Sequence, residues 1–127
     1  MAARLVTRRY DAALAPVSLT ANGYSILARL DREGPLALGA LAARLAMDRT
    51  TLSREITPLV ASGLVESSAD EGDRRKRLLA LSDSGTARVS EARPLWAQAQ
   101  ETLVADFGVE RVAELLGELH ALVGAGG

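Results

Sequence analysis

The sequence predicts a mainly α-helical fold with one small β-hairpin, and three observations lead to this prediction. Apolar residues make up 48% of the chain but aromatic residues only 3%, so the core is built mainly from Leu, Val and Ala, which favours helices. Most segments carry apolar residues at helical spacing. One segment instead has two short apolar runs around a polar turn, which is typical of a hairpin. The length of 127 residues suits one compact domain.

Two helices are predicted in the N-terminal quarter. Apolar residues at helical spacing predict the first over residues 3–14 and the second over residues 20–33. The hydroxyls in residues 18–20 are candidate caps for the second helix, and Gly34 with Pro35 is expected to end it.

A pair of helices separated by a short break is predicted next. Apolar residues at positions 38, 41, 42 and 45 follow the i, i+3, i+4, i+7 pattern of a two-turn helix. Asp48 is the predicted N-cap of the second helix, because its carboxylate can accept hydrogen bonds from the backbone that follows. Gly63 is expected to end this helix in a left-handed conformation, and Pro58 predicts a kink or one tolerated loss of a hydrogen bond. Its expected buried residues are Leu52, Ile56, Leu59 and Val60.

The hairpin and two further helices complete the prediction. Strands are expected over residues 64–68 and 77–81, joined by a polar turn over residues 69–76. Ser82 should cap a long helix in which Pro94 predicts a bend, and Phe107-Gly108 should break the chain. The last helix carries a near-heptad apolar stripe: Val112, Leu115, Leu116, Leu119, Leu122 and Val123.

Composition excludes several chemistries. The chain has no cysteine and one histidine, which argues against disulfides, thiol chemistry, a metal site and a Ser-His-Asp triad. No cofactor and no catalytic residue are therefore predicted, and an enzyme is disfavoured. No run approaches the length of a membrane span and no secretory signal is visible at the N-terminus, so we expect a cytoplasmic protein without membrane contact.

Charge is distributed unevenly although the formal net charge is −1. Residues 1–77 contain 12 Lys and Arg against 9 Asp and Glu, whereas residues 78–127 contain 3 against 7. The densest basic run, residues 74–77, lies in the predicted hairpin turn. By itself a basic run fits a solvated loop as well as a binding surface.

A two-helix unit followed directly by a hairpin is the order of a winged helix-turn-helix, in which the second helix enters the major groove of DNA. Arginine can form bidentate bonds to guanine, and short hydroxyl side chains suit phosphates and base edges. The candidate DNA contacts on the second helix are Arg49, Thr50, Thr51, Ser53 and Arg54.

The hairpin turn, or wing, supplies a second candidate site. Asp73 lies two residues before Arg75, so a bidentate ion pair is expected to hold the guanidinium for entry into a minor groove. Arg74, Lys76 and Arg77 are expected to meet phosphates or solvent.

Three segments carry a resemblance to the MarR family of bacterial transcriptional regulators. Residues 41–54, LAARLAMDRTTLSR, resemble that family's helix-turn-helix, and residues 58–65, PLVASGLV, resemble the end of its recognition helix and the first wing strand. Asp73-Arg74-Arg75, followed by residues 81–85, LSDSG, is similar to its wing signature and the cap of the next helix. The resemblance extends over residues 14–122.

The resemblance implies a dimeric architecture and a function. One domain over residues 1–127 would use residues 1–33 and 83–127 as dimerisation helices and residues 34–82 as the DNA-binding lobe. The homodimer would bind a pseudo-palindromic operator on double-stranded DNA, as a repressor, with Arg75 in the minor groove and Asp73 supporting it. Relatives of this kind bind small aromatic or anionic effectors between the two parts. A last helix this apolar also favours a dimer, because exposed leucines are costly in water.

Two questions stay open at this point. Tyr10, Tyr24 and Trp96 are candidates for lining an effector pocket, but aromatic residues at helical spacing are more often ordinary core. A winged helix can also serve as a protein-binding module without DNA contacts. Such a module would carry an apolar or acidic recognition face. The arginine and hydroxyl side chains on the second helix argue against this alternative.

Overall fold

The computed structural model describes residues 2–73 and 75–114 and confirms a mainly helical fold with a small sheet. Residues 109–114 are also helical, after a break at Gly108. Arg74 and most of the apolar stripe predicted for the last helix lie outside the described residues. The elements are α1 (Ala2–Leu14), α2 (Ala21–Glu33), β1 (Leu36–Ala37), α3 (Leu38–Arg44), α4 (Arg49–Ala61), β2 (Val65–Ala69), β3 (Arg77–Leu81) and α5 (Asp83–Phe107).

The sheet has three strands, which corrects the two-stranded hairpin expected from the sequence. All pairs are antiparallel in the order β1-β3-β2, with Leu36 opposite Leu79 and Val65 opposite Leu81. At two residues, β1 is too short to show the alternating pattern by which a strand is recognised in a sequence. By pairing with β3, it connects the start of α3 to the wing.

Helix boundaries follow local hydrogen bonds that the sequence signalled. The Thr20 hydroxyl accepts from the backbone N–H of Gly23, and the Ser82 hydroxyl accepts from that of Gly85. Gly63 has a φ of +79°, so it ends α4 in the predicted left-handed conformation. Helices α4 and α5 continue through Pro58 and Pro94. None of the described helices is long and apolar enough to cross a membrane.

The core consists of two apolar clusters. The larger one lies between α2, α3, α4, the sheet and the first half of α5, and includes the fully buried Leu41, Leu52 and Ile56. The smaller one joins α1 to the second half of α5. Trp96 packs against both clusters. Of the four residues expected to be buried in α4, Val60 is only partly buried.

A compact polar junction connects the end of α4, the wing and α5. The backbone N–H of Ser82 donates to the Leu64 carbonyl at 3.1 Å, and the Ser82 hydroxyl donates to the Gly63 carbonyl. Gly85 is buried against the same segment, and a Cβ there would collide with the Leu64 carbonyl oxygen. The close approach of α5 to the start of β2 therefore requires glycine at this position.

We predict that Gly85→Ala destabilises the protein although alanine is the better helix former. Displacing the Leu64 backbone should cost about 1–3 kcal/mol, as overpacking of a close contact generally does. Urea unfolding measures this difference. Gly72→Ala is the control, because a Cβ there would make only an ordinary contact 3.6 Å from an Asp70 oxygen. Equal stability of the wild type and Gly85→Ala would contradict the assignment.

Candidate nucleic-acid interface

The start of α4 is fixed by Asp48, as the sequence predicted. Its carboxylate accepts from the backbone N–H of Thr51 at 2.7 Å and from the Thr51 hydroxyl at 2.9 Å. These two hydrogen bonds hold the pKa of the Asp48 carboxyl below its usual value. Because the folded-state pKa is lowered, the cap contributes fully above the ordinary carboxyl pKa and is lost as the pH falls through the lowered value. The N-cap of α4 is therefore intact at neutral pH.

The outer face of α4 carries the predicted DNA contacts. Arg49, Thr50 and Arg54 are exposed, and Ser53 is half-buried. The hydroxyl of Thr51 is already engaged by Asp48, so its first role in this structure is to begin the helix. Buried residues of the core lie on the opposite side, which leaves these polar side chains facing outward.

Glu55 is the one acidic residue within this part of α4, and it points towards α2. Its carboxylate accepts a hydrogen bond from the Asn22 amide at 3.4 Å. The carboxylate is thereby drawn to the side of α4 that packs on α2.

The wing turn is held by its own backbone and by two aspartates. The N–H of Asp70 donates to the Lys76 carbonyl at 3.0 Å, and the N–H of Lys76 donates to the Asp73 carbonyl at 2.9 Å. The Asp70 side chain also accepts from the N–H of Gly72 at 2.9 Å. Such side-chain caps stabilise a turn in the manner of a backbone hydrogen bond. Arg75, Lys76 and Arg77 are therefore carried on a turn that is closed by hydrogen bonds.

The pairing of Asp73 with Arg75 differs from the bidentate ion pair expected from the sequence. Asp73 Oδ1 accepts from the backbone N–H of Arg75 at 3.0 Å, whereas its contact with the guanidinium is a single one, 3.7 Å from Nε. The Arg75 side chain is 95% exposed. The backbone N–H is the nearer donor in a tight turn, so Asp73 fixes the turn and leaves the guanidinium extended into solvent. Arg77 is braced differently, since its Nε donates to the Ser67 hydroxyl at 2.9 Å.

A cationic cleft joins α4 to the wing. It has a volume of about 320 Å³, and its floor is the β1–α3 segment, residues 37–40. Among the described residues its lining includes no carboxylate. The cationic side chains that line it are Arg49, Arg75, Lys76 and Arg77. The structure thus brings together three members of the predicted site, while Arg54 lies further along the exposed face of α4. Gly39 in the floor was not singled out from the sequence.

The three aromatic candidates stack on one another. The ring centroids of Tyr10 and Trp96 are 3.8 Å apart, and those of Tyr24 and Trp96 are 5.0 Å apart. Tyr10 is fully buried, and burial raises the pKa of its phenol. The Tyr10 hydroxyl oxygen has no hydrogen-bond partner among the described residues. The trio therefore belongs to the core, and it contains one buried polar atom left unsatisfied.

The arrangement as a whole offers binding by charge and hydrogen bonding. No group of three or more potential metal-ligating side chains occurs within residues 2–73 and 75–114. Two short α-helices, a wing and a solvent-facing basic surface define a winged helix-turn-helix protein.

Comparison with known proteins gives the family. The MarR family model matches residues 19–76. The transcriptional repressor NicR of Pseudomonas putida is 34% identical over 98 residues, which cover 76% of this chain and 62% of NicR. The chain thus spans less than two thirds of that relative.

Two solved structures extend the match to nearly the whole chain. The M. tuberculosis regulator MosR in complex with DNA is 34% identical with a TM-score of 0.80, covering 95% of this chain and 89% of MosR. BpsR of Bordetella bronchiseptica, whose DNA binding is regulated by 6-hydroxynicotinic acid, is 26% identical with a TM-score of 0.73. The match covers 94% of this chain and 88% of BpsR. The chain belongs to the MarR family.

Proposed function

We propose that this chain is a transcriptional repressor that binds double-stranded DNA sequence-specifically, as a homodimer on a pseudo-palindromic operator in the cytoplasm. The observation that carries the proposal is the cationic cleft, in which the first residue of α4 meets the basic turn of the wing. A phosphate backbone is the natural counterion of such a surface, and a helix beside it has the width of a major groove.

The exposed side chains suggest a division of roles. Arg54, one turn into α4, would contact base edges in the major groove, with Thr50 and Ser53 as shorter donors. Arg75 would enter the adjacent minor groove, where its extended and solvated side chain meets a negative potential. Arg49 and Arg77 would bind phosphates. Asp73 would act indirectly by fixing the wing turn.

Dimerisation through the terminal helices is supported by exposed apolar side chains. Leu5 is 44% exposed and Val109 is 71% exposed in the isolated protomer. Both lie in the ranges proposed for dimerisation, residues 1–33 and 83–127, outside the lobe of residues 34–82. A second protomer that covers them would remove this apolar surface from water.

We predict different effects for the two principal arginines. On a duplex selected from random DNA by the wild type, Arg54→Ala should lose about 1–3 kcal/mol of preference over a scrambled duplex, because a base contact carries discrimination. Arg75→Ala should weaken binding to both duplexes with less change in their ratio. Fluorescence anisotropy at several salt concentrations measures both quantities. Arg32→Ala, an exposed change on α2 outside the cleft, is the control. Wild-type binding by both variants would refute the site.

The dimer makes a separate prediction. Sedimentation at micromolar concentration should give a mass of two chains. Val109→Asp should shift the mass towards one chain without lowering the stability of the protomer, because the side chain is exposed there, and Val109→Leu should leave the dimer intact. A wild type that sediments as a monomer would contradict the proposal.

Release by a small effector is the second part of the proposal. The unsatisfied Tyr10 hydroxyl beside the stacked rings of Tyr24 and Trp96 supports it, because buried polar atoms without partners are rare in proteins. Because Tyr10 is fully buried and stacked on Trp96, a ligand would have to separate these rings, and a small aromatic acid would then supply a ring to stack and a polar atom to bind that hydroxyl. The regulation of BpsR by 6-hydroxynicotinic acid supports this class of ligand.

We expect 6-hydroxynicotinic acid, used as a probe, to change the emission of Trp96, the chain's one tryptophan, and to weaken DNA binding. Tyr10→Phe should reduce this response and leave DNA binding without the probe unchanged. If millimolar probe alters neither emission nor DNA binding, the trio is ordinary core with respect to this ligand class.

The alternative to DNA binding is a protein-binding module, and the anisotropy measurements at several salt concentrations distinguish the two. Such a module would bind its partner with little dependence on salt, whereas displacement of counterions from DNA makes affinity fall steeply as salt rises. An enzyme is not proposed, since among the described residues the site contains charged groups for binding and no arranged acid, base and nucleophile.

A further inference from the structure

The guanidinium of Arg49 lies against Gly39 across the helix-turn-helix. Gly39 is the second residue of α3, and Arg49 is the first residue of α4. A Cβ at Gly39 would lie 2.6 Å from Arg49 Nη2 and 3.2 Å from its Cζ. The guanidinium therefore occupies the space that the side chain of any other residue would need.

This contact decides where the charge of Arg49 lies. A side chain at the first position of α4 could extend freely into solvent, but here the guanidinium is placed over α3 and lines the cationic cleft. There it faces the wing, which contributes Arg75, Lys76 and Arg77. Like charges that line one cleft repel one another, and an anion between them reduces that repulsion.

The floor of the cleft leaves room for such an anion. Ala37, Gly39 and Ala40 have at most one side-chain carbon each, and the remaining floor residue is Leu38. No side-chain acceptor of the described floor competes for the cations. The volume of about 320 Å³ exceeds that of a phosphate group.

We propose that Gly39 is a positioning residue for DNA binding. By leaving space for the guanidinium of Arg49, it completes a clasp that takes one phosphate of the DNA backbone between α4 and the wing. The inference rests on the proposed DNA-binding function and adds to it a residue that carries neither charge nor hydrogen-bonding side chain.

A Gly39→Ala variant separates this role from a structural one. The atom in the way is the far end of a flexible side chain, so Arg49 can swing aside without unfolding the protein. Alanine is also a better helix former than glycine, so α3 should be stabilised. A positioning role thus predicts weaker DNA binding together with unchanged or higher thermal stability.

The experiment measures Gly39→Ala, Arg49→Ala and the double variant on the selected duplex over a series of salt concentrations. Gly39→Ala and Arg49→Ala should each raise Kd about fivefold, and each should reduce the salt slope by about one, as expected for one lost phosphate contact. The double variant should bind no more weakly than Arg49→Ala, because it has no guanidinium left to displace.

Ala43→Gly is the matched control. Ala43 is exposed on α3 and does not line the cleft, so the change alters helix propensity without approaching Arg49. Its affinity for DNA should be that of the wild type. Wild-type affinity of Gly39→Ala, or additive losses in the double variant, would overturn the inference. If Arg75→Ala weakens DNA binding while Gly39→Ala does not, the role of Gly39 is refuted and the proposed function stands. If the wild type binds no duplex, both the role of Gly39 and the proposed function are refuted.

Discussion

The contact on which the rest of the structure depends is the polar junction around the Leu64 carbonyl. There the end of α4, the residue that precedes β2 and the first turn of α5 are joined by hydrogen bonds, with Gly85 packed against the Leu64 backbone. Because α5 also packs on α1 and α2, this junction sets the position of the recognition helix and the wing relative to the proposed dimerisation helices.

Local structure explains how an overall acidic chain presents a basic surface. The carboxylates near the cleft are engaged in building the fold: Asp48 caps α4, Asp73 caps the wing turn, and Glu55 is hydrogen-bonded towards α2. Among the basic side chains of the cleft, Arg75 extends into solvent, Arg49 lies over α3 and Arg77 is hydrogen-bonded to Ser67. The net charge of the chain therefore does not predict its binding surface. What matters is that the carboxylates are engaged in hydrogen bonds of the fold while the basic side chains line the cleft.

Much of this could be predicted from the sequence, because caps, glycine stops and apolar periodicity are local signals. Asp48 and Ser82 cap helices, and Gly63 ends one, at the positions that the sequence predicts. Strand β1 and the role of Gly39 could not be predicted, since both depend on residues brought close only by folding. Asp73 was correctly placed beside Arg75, but a sequence does not show whether a carboxylate will bind a backbone N–H or a guanidinium. The roles of the candidate DNA contacts remain predictions.

Hydroxyl-radical footprinting on the selected duplex tests the central claim, that two protomers place two α4 helices and two wings on one face of DNA. The account predicts two protected regions whose centres are separated by about one helical turn, roughly 10 base pairs, each flanked by protection of a minor groove. A single protected region, or protection that does not repeat with the turn of the helix, would contradict it.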